Sequence, residues 1–334
     1  MRFMLLREKF KGSALRSGGG IILSLAGVSL ISILLSIIFD AHKPAVYNHS
    51  DIPDRRWFRG NTHTHTKPLD YFPSKRIPVI ASWYKNAGYD FLVITDHNTH
   101  DSKDRNVVCH NEVADPPDFI MLCGLELSNS RHITGLGIDR YIGNEKSLQD
   151  GVDQVIEADG VPILNHPMFP PVKATQFIAT RGLNHLEVFN GKRPKDTRRS
   201  EMLWDSVLSS PGGRLVYAVA ADDNHHKKRK TGLGWIMVES PSLTPENIEN
   251  NIRKGNFYAS TGIFLKDFRT NRNEIMIESE NGTRVTFIGR WGKVLNSVKG
   301  PGAVYKPTGN EHYIRIKITD DDGQAAWTQP FFLN

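Results

Sequence analysis

The sequence predicts an α/β fold, a mainly parallel sheet or barrel, followed by a small antiparallel β module. Over residues 57–262, short apolar runs alternate with amphipathic segments, as expected for strands joined by helices. Over residues 263–334, apolar and polar residues alternate between Asn-Gly, Gly-Pro-Gly and Asp-Gly turns, which is typical of antiparallel strands. We expect this module to pack against or cap the first part, with sugar or peptide binding as the alternative.

The individual elements follow from these runs. The predicted strands of the first part are RWFRGNTH, YDFLVITDH, DFIMLCGLELS, RHITGLGI, GVPILNHP, NHLEVFN, RLVYAVAADD and GLGWIMVES. The predicted helices between them include RIPVIASWYKNAG, SLQDGVDQVIEADG, RRSEMLWDSVLSS and TPENIENNIRKG. The last of these begins at Thr244, a good N-cap, and stops at Gly255. In the C-terminal module, NEIMIESE, RVTFIGRW, HYIRIKITD and AWTQPFFL predict four to six strands and no helix.

The N-terminal segment predicts a membrane anchor. Residues 1–20 carry five basic side chains against one acid, and residues 21–39 carry no charge. At about 1.5 Å per residue this apolar stretch just crosses a hydrocarbon core of roughly 30 Å as a helix. The basic flank then stays in the cytoplasm, residues 40–56 form a tether, and the rest is extracytoplasmic. The alternatives are a cleaved signal peptide, which would give a secreted protein, and a buried core helix.

Composition adds little about partners. The chain has 334 residues, a net charge of +6 and 39% hydrophobic residues, as an ordinary globular protein does. Part of the positive charge lies in the N-terminal flank, so it does not by itself indicate nucleic-acid binding. The two cysteines, Cys109 and Cys123, lack the spacing of a metal site, and their pairing is left open.

Side chains that bind metals lie at the ends of six predicted strands. The carboxyl ends of parallel strands meet at one edge of a sheet, so we expect these side chains to converge. Residues two apart on a strand share a face, so His63 with His65, and Asp223 with His225, can grip one ion together. Imidazoles and carboxylates without thiolates suit zinc, manganese or iron, and the number of groups predicts two or three divalent ions. The set comprises His63, His65, Asp96, His97, Glu126, His166, Glu187, Asp223 and His225.

Five short motifs, NTHTHT, GYDFLVITDHN, GLELS, NHP and ADDNH, resemble in order those of the polymerase and histidinol phosphatase (PHP) superfamily of metal-dependent phosphoesterases. The resemblance covers roughly residues 57–334 and is strongest to the carbaryl-hydrolase-like branch, whose C-terminal segment is similar to GNFYASTG, EHYIRIKITD and AAWTQPFF. It implies a distorted (β/α)7 barrel. It also implies metal ligation by His63, His65, Asp70, His97, Glu126, His166, Asp223 and His225.

The resemblance implies roles for further residues. Asp96 fits a carboxylate that fixes a histidine tautomer, and His132 matches a family position near the site, in contact with substrate. Family members often have another histidine ligand where this chain has Glu187 or Asn190, which leaves two or three ions open. The residues expected in catalysis are Asp96, His132, His225 and His226, and those expected to contact substrate are Glu187, Asn190, Lys192 and Arg193.

The expected reaction is in-line attack of a metal-activated hydroxide on a phosphate ester. No Gly-x-Ser-x-Gly elbow or Gly-rich Walker loop is present to indicate another chemistry. His132, His225 or His226 could protonate the leaving oxygen. The same chemistry also suits a carbamate, an ester or an amide. A third hypothesis is a non-catalytic anchored binding protein that keeps the metal site as scaffold.

Two basic clusters, GKRPKDTRR and HHKKRK, lie close to predicted site residues. They could recognise a small anionic substrate, such as a phosphate ester. The alternative is a solvated loop, or a patch that rests on acidic lipid headgroups. Neither cluster is interleaved with aromatic residues, so we expect no specific nucleic-acid binding.

Overall fold

The structure is a computed structural model that describes residues 56–66, 77–98, 118–225, 227–271 and 273–333. The predicted basic flank, the anchor and nearly all of the tether lie outside the described residues. So do the site candidates Asp70 and His226, and Cys109. Within the described ranges, no helix is long and apolar enough to cross a membrane.

The described residues contain helices, strands and short 3₁₀ turns. The helices are α1 Ile77–Asn86, α2 Leu148–Glu157, α3 Ala174–Ala179, α4 Thr197–Ser209 and α5 Pro245–Lys254. The strands of the first part are β1 Arg56–Asn61, β2 Thr64–His65, β3 Phe91–Val93, β4 Ile120–Leu122, β5 Gly124–Leu127, β6 Ile133–Leu136, β7 Val161–Leu164, β8 His185–Asn190, β9 Tyr217–Ala221, β10 Asn224–His225, β11 Trp235–Ser240 and β12 Phe257–Ser260. The later strands are β13 Leu265–Thr270, β14 Ile275–Ser279, β15 Arg284–Gly289, β16 Lys293–Lys299, β17 Gly302–Tyr305, β18 Tyr313–Thr319, β19 Ala325–Trp327 and β20 Phe331–Phe332. The 3₁₀ turns are Pro194–Asp196, Lys228–Lys230 and Arg290–Gly292.

Local sequence sets the ends of the helices. The Thr244 hydroxyl accepts a hydrogen bond from the Asn247 amide at 3.3 Å, and Gly255 ends α5 with a left-handed φ of 78°. This conformation suits glycine because glycine has no Cβ. The prediction for this helix is confirmed at both ends. α2 begins in the same way, since the Ser147 hydroxyl accepts from the Asp150 amide at 3.1 Å.

The strands form two main sheets, both of them mixed. A ten-stranded sheet runs in the order β16-β15-β18-β19-β12-β11-β1-β3-β4, with β20 paired to β18, and a five-stranded sheet runs from β5 to β9. β1 is parallel to β3 but antiparallel to β11, and β6 returns as a hairpin strand antiparallel to both neighbours. The fold is therefore mixed α/β rather than mainly parallel. The hydrogen bonds of the described strands do not close a barrel.

The C-terminal part contains eight described strands, β13 to β20, where the sequence predicted four to six. β13 and β16 were missed because LKDFRT and KVLNSVK do not alternate cleanly between apolar and polar residues. Each also has a β-bulge in its pairing, which interrupts the two-residue period. β12 of the first part pairs with β19, so the ten-stranded sheet continues from the first part into the module.

Buried strands give the site a packed base. β5 and β7 are buried at every position, and β9 at all but its first. Strands covered on both faces read as continuous apolar runs, as β7 and β9 do, whereas Glu126 interrupts β5. Behind β9, α4 buries Trp204, whose Nε1 donates to the Val216 carbonyl at 2.9 Å. The buried strands therefore fix the positions of the polar residues at their ends.

Candidate metal centre

Strands of both main sheets end at one cluster of histidines and acids. β2 pairs in parallel with β10, which sets His65 beside His225 in register. A single-residue bridge sets His97 beside Glu126 of β5. The other members are His63 after β1, His132 before β6, His166 after β7 and Asp223 after β9. The structure therefore brings together every predicted metal ligand that lies within the described ranges.

The carboxylate of Glu126 lies at the centre and contacts five imidazoles. From Oε1, the distances are 3.0 Å to His132 Nδ1, 3.4 Å to His63 Nε2 and 3.5 Å to His166 Nε2. From Oε2, they are 2.9 Å to His97 Nδ1 and 3.4 Å to His65 Nε2. The two oxygens of one carboxylate thus face two different sets of histidines.

Asp223 is a second acid shared by several histidines. Its Oδ1 lies 3.2 Å from His225 Nδ1, 3.4 Å from His65 Nε2 and 3.6 Å from His63 Nε2. Asp223 occupies a bend between β9 and β10, with a left-handed φ of 48°, and His166 has a φ of 25°. Such backbone is strained for a residue with a Cβ, and it is found where the surroundings impose it, commonly at functional sites.

Two histidines have their tautomer fixed by an acceptor at Nδ1, on the side of the ring away from the cluster. His63 Nδ1 lies 2.7 Å from Oε1 of Glu187, and His166 Nδ1 lies 3.2 Å from the Phe169 carbonyl oxygen. Because a carboxylate and a carbonyl only accept, each Nδ1 carries a proton, and in the neutral imidazole Nε2 turns its lone pair towards the cluster. Nε2 of His63 also lies 3.1 Å from Nε2 of His65, so the two nitrogens face the same space. Metal-ligating imidazoles are oriented in this way.

The acids make the cluster favourable for positive charge. Burial works against an imidazolium at His63, yet Asp223 and two neighbouring glutamates raise its pKa well above the usual value. Burial also works against a carboxylate at Glu126, yet the charge of His63 and hydrogen bonds from other imidazoles hold its pKa well below the usual value. At His65 burial dominates and lowers the pKa to about 4, which keeps this imidazole neutral and able to bind a metal.

The residues present fit divalent metal ions. Within the described ranges, Oε2 of Glu126 and Nδ1 of His65 are buried and make no hydrogen bond. Buried polar atoms without partners are rare, and a ligand is one explanation for them. Nitrogen and oxygen donors without sulfur suit zinc, manganese or iron. The groups of three whose donor atoms lie within 4.8 Å of one another are His63–His166–Asp223, His65–His97–His225, His63–His65–Glu126 and His97–Glu126–His132.

The carboxylate of Asp96 contacts a threonine rather than a histidine ring. It accepts hydrogen bonds from the Thr66 amide, at 2.7 Å, and from the Thr66 hydroxyl. It therefore holds the backbone directly after His65 instead of a histidine ring. The tautomer-fixing role expected of Asp96 belongs to Glu187, which contacts His63 from a different strand.

Glu187 and Asn190 support the cluster from behind. Glu187 is 1% exposed and accepts from the His166 amide at 2.5 Å, in addition to His63. Asn190 is 5% exposed and donates to Glu187 at 2.8 Å and to Asp223 at 3.2 Å. Buried partners of this kind orient metal ligands. The substrate contacts predicted for these two residues stay a prediction.

Lys192 and Arg193 lie at the rim of the cluster. Nζ of Lys192 is 3.1 Å from Nε2 of His225, whose side chain is 30% exposed. The guanidinium carbon of Arg193 lies 3.3 Å from the ring centre of Phe169, a cation–π contact. Phe169 is 53% exposed. The cluster therefore opens to solvent on a side that carries two cations and one aromatic ring.

Sequence reasoning missed two supporting residues. Asn165 donates to Oε1 of Glu126 at 2.8 Å. Asp222 accepts from the Tyr84 hydroxyl and from the amides of the 232–234 loop, and burial raises its pKa to about 6. Asn165 lies in the NHP motif and Asp222 in ADDNH, so a position next to a predicted ligand was the available signal. Phe169 had no comparable signal in the sequence.

Comparison with protein-family models finds no match, and comparison with curated proteins finds none either. One solved structure with a similar fold is a two-domain protein from Bacteroides vulgatus that contains a predicted PHP-like metal-dependent phosphoesterase. The two chains share 13% sequence identity with a TM-score of 0.48, and the match covers 84% of this chain and 96% of the other. A likeness at this level does not indicate an activity for this chain.

Proposed function

We propose that this chain is a metal-dependent hydrolase of the PHP type and that it acts as a phosphoesterase. The observation that carries the proposal is the position of Glu126, whose oxygens contact five imidazoles. A buried carboxylate among so many nitrogen donors is costly unless a cation joins them. The order of the sequence motifs, which resembles that of PHP enzymes, supports the same function.

We propose that the cluster would hold two divalent ions, each of them zinc, manganese or iron. The groups that would hold them are His63, His166 and Asp223 for the first, and His65, His97 and His225 for the second, with Glu126 available to both. Of the ligands implied by the resemblance, Asp70 is the one that remains for a third ion.

When bound, such ions would activate water and neutralise the charge of a phosphate ester. The side chains of the rim would bind the substrate and move the proton. Lys192 places a positive charge beside His225, where the anionic oxygens of a substrate would arrive. His132 is 27% exposed and its Nδ1 faces Glu126, so in its doubly protonated form the Nε2–H would give a proton to the leaving oxygen. His63, at 1% exposed, is too deep for that role.

Carbamates, esters and amides are the alternative substrates, and the exposed ring of Phe169 favours them. This ring lies beside Arg193 at the rim and would contact an apolar group of a substrate rather than its phosphate. The metal-activated water would serve either reaction. The two functions would therefore use the same metal cluster and differ only in the substrate that the residues at the rim bind.

Metal analysis followed by a substrate panel tests the proposal. The full chain, purified in detergent, would be loaded with zinc, manganese or iron(II) and assayed on a phosphomonoester, a phosphodiester and a carbamate. We expect phosphate-ester hydrolysis that is lost, with most bound metal, in His63→Ala and Asp223→Ala while both variants stay folded. Hydrolysis of the carbamate alone would replace the phosphoesterase with the alternative. Metal binding without turnover would instead favour a non-catalytic binding protein.

We also propose that the two main sheets are the sides of a distorted (β/α)7 barrel. Support comes from the site, since His63 follows β1 of the ten-stranded sheet and Glu126 belongs to the five-stranded one, yet their side chains are 3.4 Å apart.

We also propose that residues 21–39 anchor the chain in a membrane and that the hydrolase lies on its extracytoplasmic side. The intact mass of the mature protein tests the anchor, because loss of residues 21–39 would mean a secreted enzyme.

A further inference from the structure

A long stretch of the C-terminal module contains no acid. Between Glu280 and Glu311 the chain has five lysines and arginines but no aspartate or glutamate, although the whole chain has 36 acids among 334 residues. All five basic side chains are exposed. We use the term basic edge for the part of this stretch that β15, β16 and the turn between them present to solvent, namely Arg284, Arg290, Trp291, Lys293, Val294 and Lys299.

The basic edge lies at one end of the ten-stranded sheet, where β16 is the outermost strand. An exposed edge strand invites pairing with a strand of another molecule unless charges block it. Here Lys293 and Lys299 begin and end β16, and both are exposed. A partner that adds a strand, including a second copy of this chain, is therefore disfavoured. The edge suits a partner that binds through charge.

Two cations of the basic edge face each other directly. Arg284 of β15 pairs in register with Lys299 of β16, so their side chains leave the sheet on the same face. Like charges at directly opposed positions destabilise an antiparallel pair. The guanidinium of Arg284 has a Ser297 hydroxyl at 3.5 Å, which does not neutralise it. An external anion at this position would remove the repulsion.

An apolar tip accompanies these charges. Trp291 is 57% exposed and Val294 is 55% exposed. Trp291 has a left-handed φ of 60°, and its amide donates to the Ser209 hydroxyl of α4 at 2.7 Å, which fixes the turn that displays the indole. The other five tryptophans are buried or half-buried. Tryptophan flanked by lysine and arginine is the combination found at membrane–water interfaces.

We propose that the basic edge rests on the surface of an anionic lipid bilayer, with Trp291 at the level of the headgroups. The charges fit acidic lipids, and basic residues near such a surface each contribute about 1 kcal/mol of attraction. A nucleic acid fits less well, because the edge offers a single exposed aromatic ring and no row of stacking platforms. If the uncharged segment 21–39 anchors the chain in a membrane, it would keep the basic edge close to a bilayer surface. The inference does not rest on the hydrolase activity.

Quenching of tryptophan fluorescence by brominated lipid tests the proposal in the full chain. The protein would be reconstituted in phosphatidylcholine vesicles with and without phosphatidylglycerol, both containing a lipid brominated near the headgroup end of its acyl chain. Residues 1–56 contain no tryptophan, so the predicted anchor does not contribute to the signal. We expect quenching that requires the anionic lipid, weakens with added salt and is absent in Trp291→Phe.

A charge reversal separates docking from folding. Lys299→Glu turns the repulsive pair with Arg284 into an attractive one, so the thermal stability should not fall, while the docking constant should fall about fivefold or more. Lys146→Glu, the same change at the start of α2, should leave the quenching unchanged. Equal quenching without the anionic lipid, or unchanged quenching in Trp291→Phe, would overturn the proposal. The proposal would also be overturned if the fluorescence of Trp291 changed with single-stranded DNA or with protein concentration but not with brominated lipid.

Discussion

Glu187 accepts a hydrogen bond from Nδ1 of His63 at 2.7 Å, and both side chains are 1% exposed. Glu187 belongs to β8 of the five-stranded sheet, and His63 lies just after β1 of the ten-stranded one. This bond decides which nitrogen of His63 faces the cluster. The same carboxylate also holds the His166 amide, so one buried acid orients two candidate ligands.

Glu187→Gln should lower metal affinity about 10–100-fold while the protein stays folded. The glutamine side chain is neutral and its amide group can donate a hydrogen bond to His63, so the preferred tautomer and ring orientation of that imidazole are lost. Competition with a coloured zinc chelator measures the change. Glu201→Gln is the control, because Glu201 bonds Lys317 and Trp327 away from the cluster. An equal loss of affinity in both variants would contradict the role of Glu187.

Glu126→Gln should remove bound metal and lower turnover more than 100-fold, since one neutral amide oxygen cannot serve two ions. Asn165→Ala provides a graded comparison. It deletes only the 2.8 Å hydrogen bond to Glu126, so we expect both ions to remain and turnover to fall about tenfold. Elemental analysis and phosphate-ester kinetics measure both variants. Full metal content in Glu126→Gln would refute Glu126 as a metal ligand.

Lys192→Ala should raise KM for an anionic substrate about tenfold with little change in metal content. A hydrogen bond from a charged donor contributes about 1.5–3 kcal/mol, and this one would act on bound substrate as well as on the transition state. Lys195→Ala, an exposed lysine three residues away, should leave KM unchanged. If KM for a neutral carbamate rises equally in Lys192→Ala, the lysine does not recognise charge.

The local parts of the fold could be predicted from the sequence, and the pairing of its strands could not. Thr244 and Gly255 mark α5 correctly because capping depends on neighbouring residues. The direction of β6 depends on whether the loop over residues 128–132 turns back as a hairpin, and that loop carries no glycine or proline to signal it. The bulges beside β13 and β16 break the alternation that marks a strand.

The site could be predicted as a set of residue types, but not as a set of roles. His63 and His65 stand out because two imidazoles two positions apart have few other uses. The role of Glu187 could not be predicted because a bulge in the β8–β9 pairing lies between it and Phe189, and the sequence does not show which way its side chain then turns. The partner of Asp96 could not be predicted because Thr66 lies 30 residues away in the chain.

His185 should make the protein less stable between about pH 6.5 and pH 4. It is 3% exposed, its Nε2 donates to the Ile252 carbonyl at 3.0 Å, and burial lowers its pKa to about 4. Below about pH 6.5 the unfolded chain takes up a proton at this residue that the folded chain does not, so stability falls with pH and the effect is absent above that pH. The loss approaches about 3 kcal/mol near pH 4.

Urea unfolding of the wild type and His185→Gln at several pH values isolates this contribution. Glutamine keeps a donor for the Ile252 carbonyl but does not titrate, so the difference in unfolding free energy between the two proteins should change only below about pH 6.5. Other acids and histidines affect both proteins equally and cancel in the difference. Parallel curves over the whole range would show that His185 is not buried in its neutral form.

Asp205→Ala should destabilise the protein by about 3–5 kcal/mol without changing its metal content, because it strands a buried charge. Arg315 is 1% exposed, and its Nε and Nη2 lie 2.7 Å from the two oxygens of Asp205, which joins α4 to β18. Replacing both partners, in Asp205→Leu with Arg315→Met, should recover much of the loss since no charge is then left unpaired. Urea unfolding measures all three proteins. A double variant as unstable as Asp205→Ala would mean that packing, and not the buried charge, sets the cost at this junction.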